Sequence, residues 1–307
     1  MKNKLMQVLI FVIFLSLILK PDLITSEILN ALNVFSNTLF PSIFPFFLIS
    51  DLLISYNFCN TLNKYFSKIN NFLFHTSNAS NFVIIMSIFS GFPSGAKYIR
   101  TLYDKKMLSI NQTNYLITFT HFANPLFVLT ITKKLFHNSG ISYLILFCHI
   151  ISNIIIAIII RPSKKEVHIE LNNENNESFS TNLSNSIKSS LKLLLLILGN
   201  TCFFFIVTRL INEYFFLSNI YQVFINGFFD MTKGINSISI VHSTIIFKAI
   251  LTLTFISFGG INVHMQVLNI INDTDIKYKN FLLGRISQLA ISSVLFFVIY
   301  SFSTNFY

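Results

Sequence analysis

Tryptophan is absent from the 307 residues, and charge is scarce, since Lys, Arg, Asp and Glu together make up only 11% of the chain. That is about half the charged share of an ordinary soluble domain, too little to cover a water-facing surface of this length. Cysteine is represented by three scattered residues, Cys59, Cys148 and Cys202. An odd, unspaced set excludes a disulfide framework and a zinc site. No Walker lysine loop, His-Glu-x-x-His, Gly-x-Ser-x-Gly or catalytic carboxylate pair occurs, which speaks against an ATP-driven pump or a recognisable hydrolase. The expectation is therefore a protein that is no enzyme, with no catalytic residue, no metal and no cofactor.

What the chain has instead is apolar length. Hydrophobic residues reach 53%, and they are gathered in runs that meet the criterion of about 20 residues for crossing about 30 Å of hydrocarbon. The net charge of +10 comes from basic residues that flank these runs, as the positive-inside rule expects, and not from a solvated basic face with exposed aromatics. Nucleic acid is thus not expected as a partner, whereas the lipid bilayer is. The expected fold class is an all-α polytopic membrane protein of roughly eight to ten passes or half-passes.

Residues 1–27 read as an N-terminal membrane helix and loop. Leu5 to Leu19 resembles a signal peptide, but Lys20-Pro21-Asp22 offers no small-residue cleavage site, so an uncleaved helix is expected. A first membrane half spans 28–160, a polar linker rich in Asn, Ser and Glu spans 161–186, and a second membrane half spans 187–307. Phe40 to Ile54 can be laid over Leu198 to Ile211, which suggests an internal repeat. Secondary transporters built from such repeats place the solute where broken helices of the two halves meet. In that overlay Asp51 falls near Arg209, and an ion pair between them is expected to join the halves.

The runs are interrupted at four places. Pro41 and Pro45 in Phe40-Pro41-Ser42-Ile43-Phe44-Pro45 remove two backbone donors, which leaves a re-entrant hairpin and a simple kink both open. Gly91, Pro93 and Gly95 break Ser90-Gly91-Phe92-Pro93-Ser94-Gly95-Ala96-Lys97. Ser94 is expected to cap a restarting helix whose N-terminus, with Lys97, would suit an anion. The alternative is a surface loop with a snorkelling lysine. In His121-Phe122-Ala123-Asn124-Pro125 the proline forces unwinding near the bilayer centre. His121 reads either as a solute ligand or as a satisfied buried residue. In Ser257-Phe258-Gly259-Gly260-Ile261-Asn262-Val263-His264-Met265-Gln266 the glycines end a helix. Asn262, His264 and Gln266 would then share one side of an extended segment, or else lie in an interfacial loop. Candidate solute ligands are accordingly Ser94, Gly95, Lys97, His121, Asn124, Asn200, Asn262, His264 and Gln266. The helix-breaking positions are Pro41, Pro45, Gly91, Pro93, Pro125, Gly259 and Gly260. Asp51, Arg209, Asp230 and Lys248 are the ionisable residues within or near spans, costly in lipid and functional by default.

These motifs, together with Gly227-Phe228-Phe229-Asp230-Met231-Thr232-Lys233-Gly234-Ile235, resemble the YlbJ-type sporulation integral membrane protein family of the nucleoside-recognition or Gate-domain superfamily. One motif departs from the family, His121 to Pro125 standing where relatives read Asn-Asn-Ala-Gly-Pro. The resemblance implies a Gate-type fold with two repeats and hairpins lining a solute site. It also implies a bacterial multi-pass location, in spore formers the outer forespore membrane, and export of dipicolinate from mother cell to forespore. A nucleoside-type transporter and a membrane scaffold in spore-envelope assembly are the other expectations. A small-molecule solute is the expected partner.

Overall fold

In the computed structural model residues 2–163 and 177–304 are described, and every regular element among them is a helix. In chain order these are α1 (Lys2–Leu19), α2 (Pro21–Val34), α3 (Phe40–Ser55), α4 (Phe58–Leu73), α5 (Asn78–Ser90), α6 (Ser94–Asp104), α7 (Ile110–Phe119) and α8 (Pro125–Phe136). There follow α9 (Ser139–Ile159), α10 (Phe179–Phe215), α11 (Asn219–Phe229), α12 (Met231–Ser237), α13 (Ile245–Phe258), α14 (Gly260–Ile271) and α15 (Tyr278–Thr304). Among the described residues five stretches are long and apolar enough to cross a membrane: Pro21–Ser55, Ser139–Ile159, Phe179–Phe215, Ile245–Ile271 and Tyr278–Phe302.

The double-proline motif neither turns back nor breaks the chain. Helices α2 and α3 are joined by a π turn, Phe35–Leu39, in which the Phe40 N–H reaches the Phe35 carbonyl. Pro41 cannot donate to the carbonyl one turn earlier, and widening that turn by a residue keeps the helix running through the loss. Of the expected linker 161–186, residues 164–176 lie outside the described residues, and its end is helical. Ser178 caps α10, its hydroxyl accepting from the Thr181 N–H at 3.2 Å, and Asn182 and Ser186 are buried. The polar composition there belongs to the first turns of a long helix.

Helix α10 lies antiparallel to Pro21–Ser55. At one end Lys20 meets Glu213 at 2.9 Å and Arg209 approaches Glu27 at 4.0 Å. At the other, Asp51 and Ser55 share a cavity wall with Asn185, Ser186 and Ser189. The remaining elements follow the same inversion. Helices α5 and α6 pack as a hairpin entered from the Ser55 end, and α6 returns there, with Lys97 on Asp51 at 2.6 Å. Helices α11 and α12 pack as a hairpin from the opposite end, with Lys233 on Glu27 at 2.7 Å. Helix α7 resumes as α8, and α13 as α14, each after a break. The full-length helices α9 and α15 complete the two series and pack on each other.

Candidate functional site

The breaks converge. Phe92 from the α5–α6 tip, Asn124 from the α7–α8 break, Asp230, Met231 and Thr232 from the α11–α12 tip, and Asn262 and Gln266 from α14 line one central cavity of about 30 Å³. The long helices close it with Leu39 and Ile43 on one side and Ile197 and Thr201 on the other. Leu39 with Ile197, and Ile43 with Thr201, stand in the register that lays Phe40 over Leu198, so the sequence overlay and the cavity wall coincide. A space of that size admits a water or two.

Asp230 is the charged residue in that wall. Its extended backbone separates α11 from α12, and its Oδ1 accepts from the N–H groups of Thr232 at 2.8 Å and Lys233 at 2.9 Å. Oδ2 accepts from Asn262 Nδ2 at 2.6 Å. The same amide also reaches Thr201 Oγ1 at 3.2 Å, while Gln266 Nε2 donates to Asn262 Oδ1 at 2.9 Å. A carboxylate, two amides and a hydroxyl thus form a connected chain across the interface between α10, α12 and α14. A buried polar group is tolerable only when hydrogen-bonded, and here the partners come from the α11–α12 tip, from α14 and from the long helix α10.

Asn124 also faces the cavity, but its capacity is spent on the scaffold. Its Oδ1 caps α8 through Leu126 and Phe127 N–H, at 2.8 and 3.2 Å. Its Nδ2 donates to the carbonyls of Ser42 at 2.9 Å and Phe89 at 2.7 Å. One side chain therefore ties three elements of the first half together. Pro125 begins α8, where a missing N–H costs nothing. Gly91 at φ 75° ends α5, and a Cβ there would stand 2.6 Å from the Asn124 nitrogen.

Several expected ligands are placed elsewhere. Pro93, not Ser94, occupies the N-cap of α6, with no side-chain cap, and the Ser94 hydroxyl donates to the Gly91 carbonyl. Gly95 packs beneath the Thr120 carbonyl, which a Cβ would meet at 2.2 Å. Lys97 faces away from the central cavity into its pair with Asp51, so the Asp51–Arg209 pair expected from the overlay is not made. The inversion is the reason: equivalent positions of antiparallel helices lie at opposite ends.

The expected extended segment Asn262–Gln266 is helical, restarted by Gly259 and Gly260 at φ 85° and 71°. At 100° per residue Asn262 and Gln266 share a face, and His264 is turned away from it. His264 lies instead between Tyr278 OH at 2.7 Å and the Phe258 carbonyl at 3.0 Å. His121 is fully buried with its ring on Phe281 at 4.5 Å, and neither ring nitrogen has a hydrogen-bond partner. Asn200 lies on α10 beside Thr201, its Nδ2 buried without a partner. Pro41 and Pro45 are within α3.

The sequence reading passed over Arg285, which is 2% exposed. Its guanidinium donates to the carbonyls of His121 at 2.8 Å, Thr118 at 3.4 Å and Ser257 at 3.4 Å, to Asn153 Oδ1 at 3.1 Å and to Gln288. Helices α7 and α13 both end at these carbonyls, where the negative ends of their dipoles meet. A planar five-donor cation is the side chain able to gather so many acceptors. An arginine inside the run Phe281 to Phe302 was the available signal.

No described protein family matches the chain by profile. No solved structure matches it. Sporulation integral membrane protein YlbJ of Bacillus subtilis (strain 168) is 24% identical over 299 residues, covering 84% of this chain and 73% of that protein. With its all-helical architecture and five stretches long and apolar enough to cross a membrane, this chain is similar to that sporulation integral membrane protein along most of its length.

Proposed function

We propose that this protein carries a small polar solute across the membrane through the central cavity. The observation that supports the reading is the convergence of four interrupted elements on one cavity near the middle of the long helices, its mostly apolar wall carrying Asp230, Asn262, Gln266 and Thr201. Interrupted backbone at membrane depth is costly unless it lines a wet or solute-filled space, and a scaffold needs only intact packed helices. The solute we assign is dipicolinate, on the strength of the resemblance and of the relative's place in sporulation. In a cavity whose wall carries Asp230, a dianion is accepted when that carboxyl is protonated and donates to it, while Asn262, Gln266 and Thr201 supply further polar contacts. A neutral, nucleoside-like solute is the second reading, favoured by the three hydrogen bonds that Asp230 accepts, since a carboxyl group that accepts would also suit hydroxyl or amine donors.

Purified protein in liposomes decides between them. Saturable uptake of dipicolinate, increasing as the pH is lowered, is expected. Uptake of nucleosides alone would replace the solute, and failure to take up either class by folded protein would overturn the transport reading.

A further inference from the structure

Two ion pairs grip the same long helix, Pro21–Ser55, on either side of the cavity. Lys97 Nζ holds Asp51 at 2.6 Å, with side chains 12% and 14% exposed. Lys233 Nζ holds Glu27 at 2.7 Å, with side chains 11% and 14% exposed. At 1.5 Å per residue Glu27 and Asp51 are about 35 Å apart along that helix, close to the thickness of the hydrocarbon layer. Leu39 and Ile43, which wall the cavity, lie between them.

The lysines are counterparts. Each occupies the first turn of the returning arm of a hairpin, α6 or α12, whose tip lines the cavity. Each ammonium also lies over a phenylalanine ring, Lys97 over Phe47 at 5.2 Å and Lys233 over Phe205 at 5.0 Å. Phe47 and Phe205 stand in the same register as Leu39 with Ile197 and Ile43 with Thr201. Beyond each pair the protein is hollow. A cavity of about 220 Å³ lies outside Lys97, lined by Asp51, Thr101, Lys105 and Ser186. Another of about 240 Å³ lies at the Glu27 end, lined by Asn33, Asn37, Lys134, Thr232 and Asn236.

We propose that Lys97–Asp51 and Lys233–Glu27 are the two locks of the central cavity, both closed in this conformation and opened one at a time. Breaking Lys97–Asp51 frees α6 and exposes the cavity at the Asp51 end. Breaking Lys233–Glu27 frees α12 and exposes it at the Glu27 end, where Arg209 at 4.0 Å also faces Glu27. Arg100, Lys105, Lys106, Arg161, Lys188, Lys277 and Lys279 gather at the Asp51 end, against Lys20, Lys133, Lys134, Arg209 and Lys248 at the other. The positive-inside rule therefore puts the Asp51 end in the cytoplasm.

The proposal rests on the transport reading, but its test is read without solute. In a full-length chain with Cys59, Cys148 and Cys202 replaced by serine, Thr201→Cys is reacted with a membrane-impermeant thiol reagent in oriented vesicles. Lys97→Gln is expected to raise labelling at least about tenfold from the cytoplasmic face only, a population shift equivalent to about 1.4 kcal/mol. Glu27→Gln is expected to do so from the opposite face only. The exchange Lys97→Asp with Asp51→Lys should return labelling toward its starting rate, which a merely misfolded variant would not do. Side-specific labelling in protein that transports nothing supports the locks and overturns the transport reading. Rates unchanged in both variants, or raised from both faces in each, overturn the locks.

Discussion

At the scale of single residues, Asp230 and Arg285 carry charge where the fold is most apolar, and they serve different ends. Asp230 faces the cavity and orders its polar wall. Asp230→Asn keeps the volume but leaves an amide where Asn262 donates. Neutral at every pH and able to donate to an anion as the protonated carboxyl does, it is expected to abolish the rise of dipicolinate uptake on acidification, with membrane insertion unchanged. Uptake with the pH dependence of the native chain would remove Asp230 from the solute site. Arg285 faces the carbonyl ends of α7 and α13 and acts on architecture. Arg285→Met leaves several buried acceptors without a donor, each worth about 1–3 kcal/mol. We expect a fall in the melting temperature in detergent, larger than that caused by truncating an exposed lipid-facing residue such as Val294. Arg285→Lys should rescue little, because an ammonium cannot span the same acceptors.

At the scale of elements, the hairpins are held at their open ends by polar clips as well as by packing. Arg100 on α6 bonds the Ile270 carbonyl at 3.2 Å and forks onto Asp273 in the α14–α15 connection, with Nη2 at 3.1 Å from Oδ2. The hydrogen bond from Arg100 is the chief cause that holds the Asp273 carboxyl below its ordinary range. A depressed carboxyl contributes stability that is present above its unfolded value of about 3.9 and is lost as pH falls through the folded value. The Asp273 side chain is 73% exposed, so salt and water weaken the clip. Native protein should therefore loosen this connection on acidification below about pH 4, while Asp273→Asn should show the looser state at neutral pH. Hydrogen exchange in the 271–278 connection measures it, and identical profiles for the two chains would dismiss the clip.

At the scale of the whole molecule, the arrangement is two runs of elements related by inversion. Each has a long helix, a hairpin, a broken helix and a full helix, and the cavity lies on the seam between them. Such a plan supplies equivalent structure to both faces of a membrane. It explains why the ion pairs come in a related but unequal couple. In the first half Asp51 stands one turn beyond Phe47 on the same helix. In the second that place is taken by Arg209, and Glu27 from the other half supplies the carboxylate.

Sequence alone determined the membrane setting, because an apolar run of sufficient length has no alternative use when charge is so scarce. It also located the breaks at Gly91–Pro93, Asn124–Pro125 and Gly259–Gly260, since glycine and proline act through local backbone sterics that need no partner. The register of Phe40 over Leu198 was visible too, as the same local pattern written twice. The direction of the second copy was not, and that is why Asp51 was matched to Arg209 and not to Lys97. Whether Pro41 ended a helix or widened one turn depended on what packed around it. The side taken by His264 depended on the segment being helical and not extended. Asp230 joined Asn262, and Arg285 joined Thr118, His121 and Ser257, across large separations in the chain. Those meetings follow from packing broken helices so that every exposed backbone group finds a partner, a condition that only the assembled structure can satisfy.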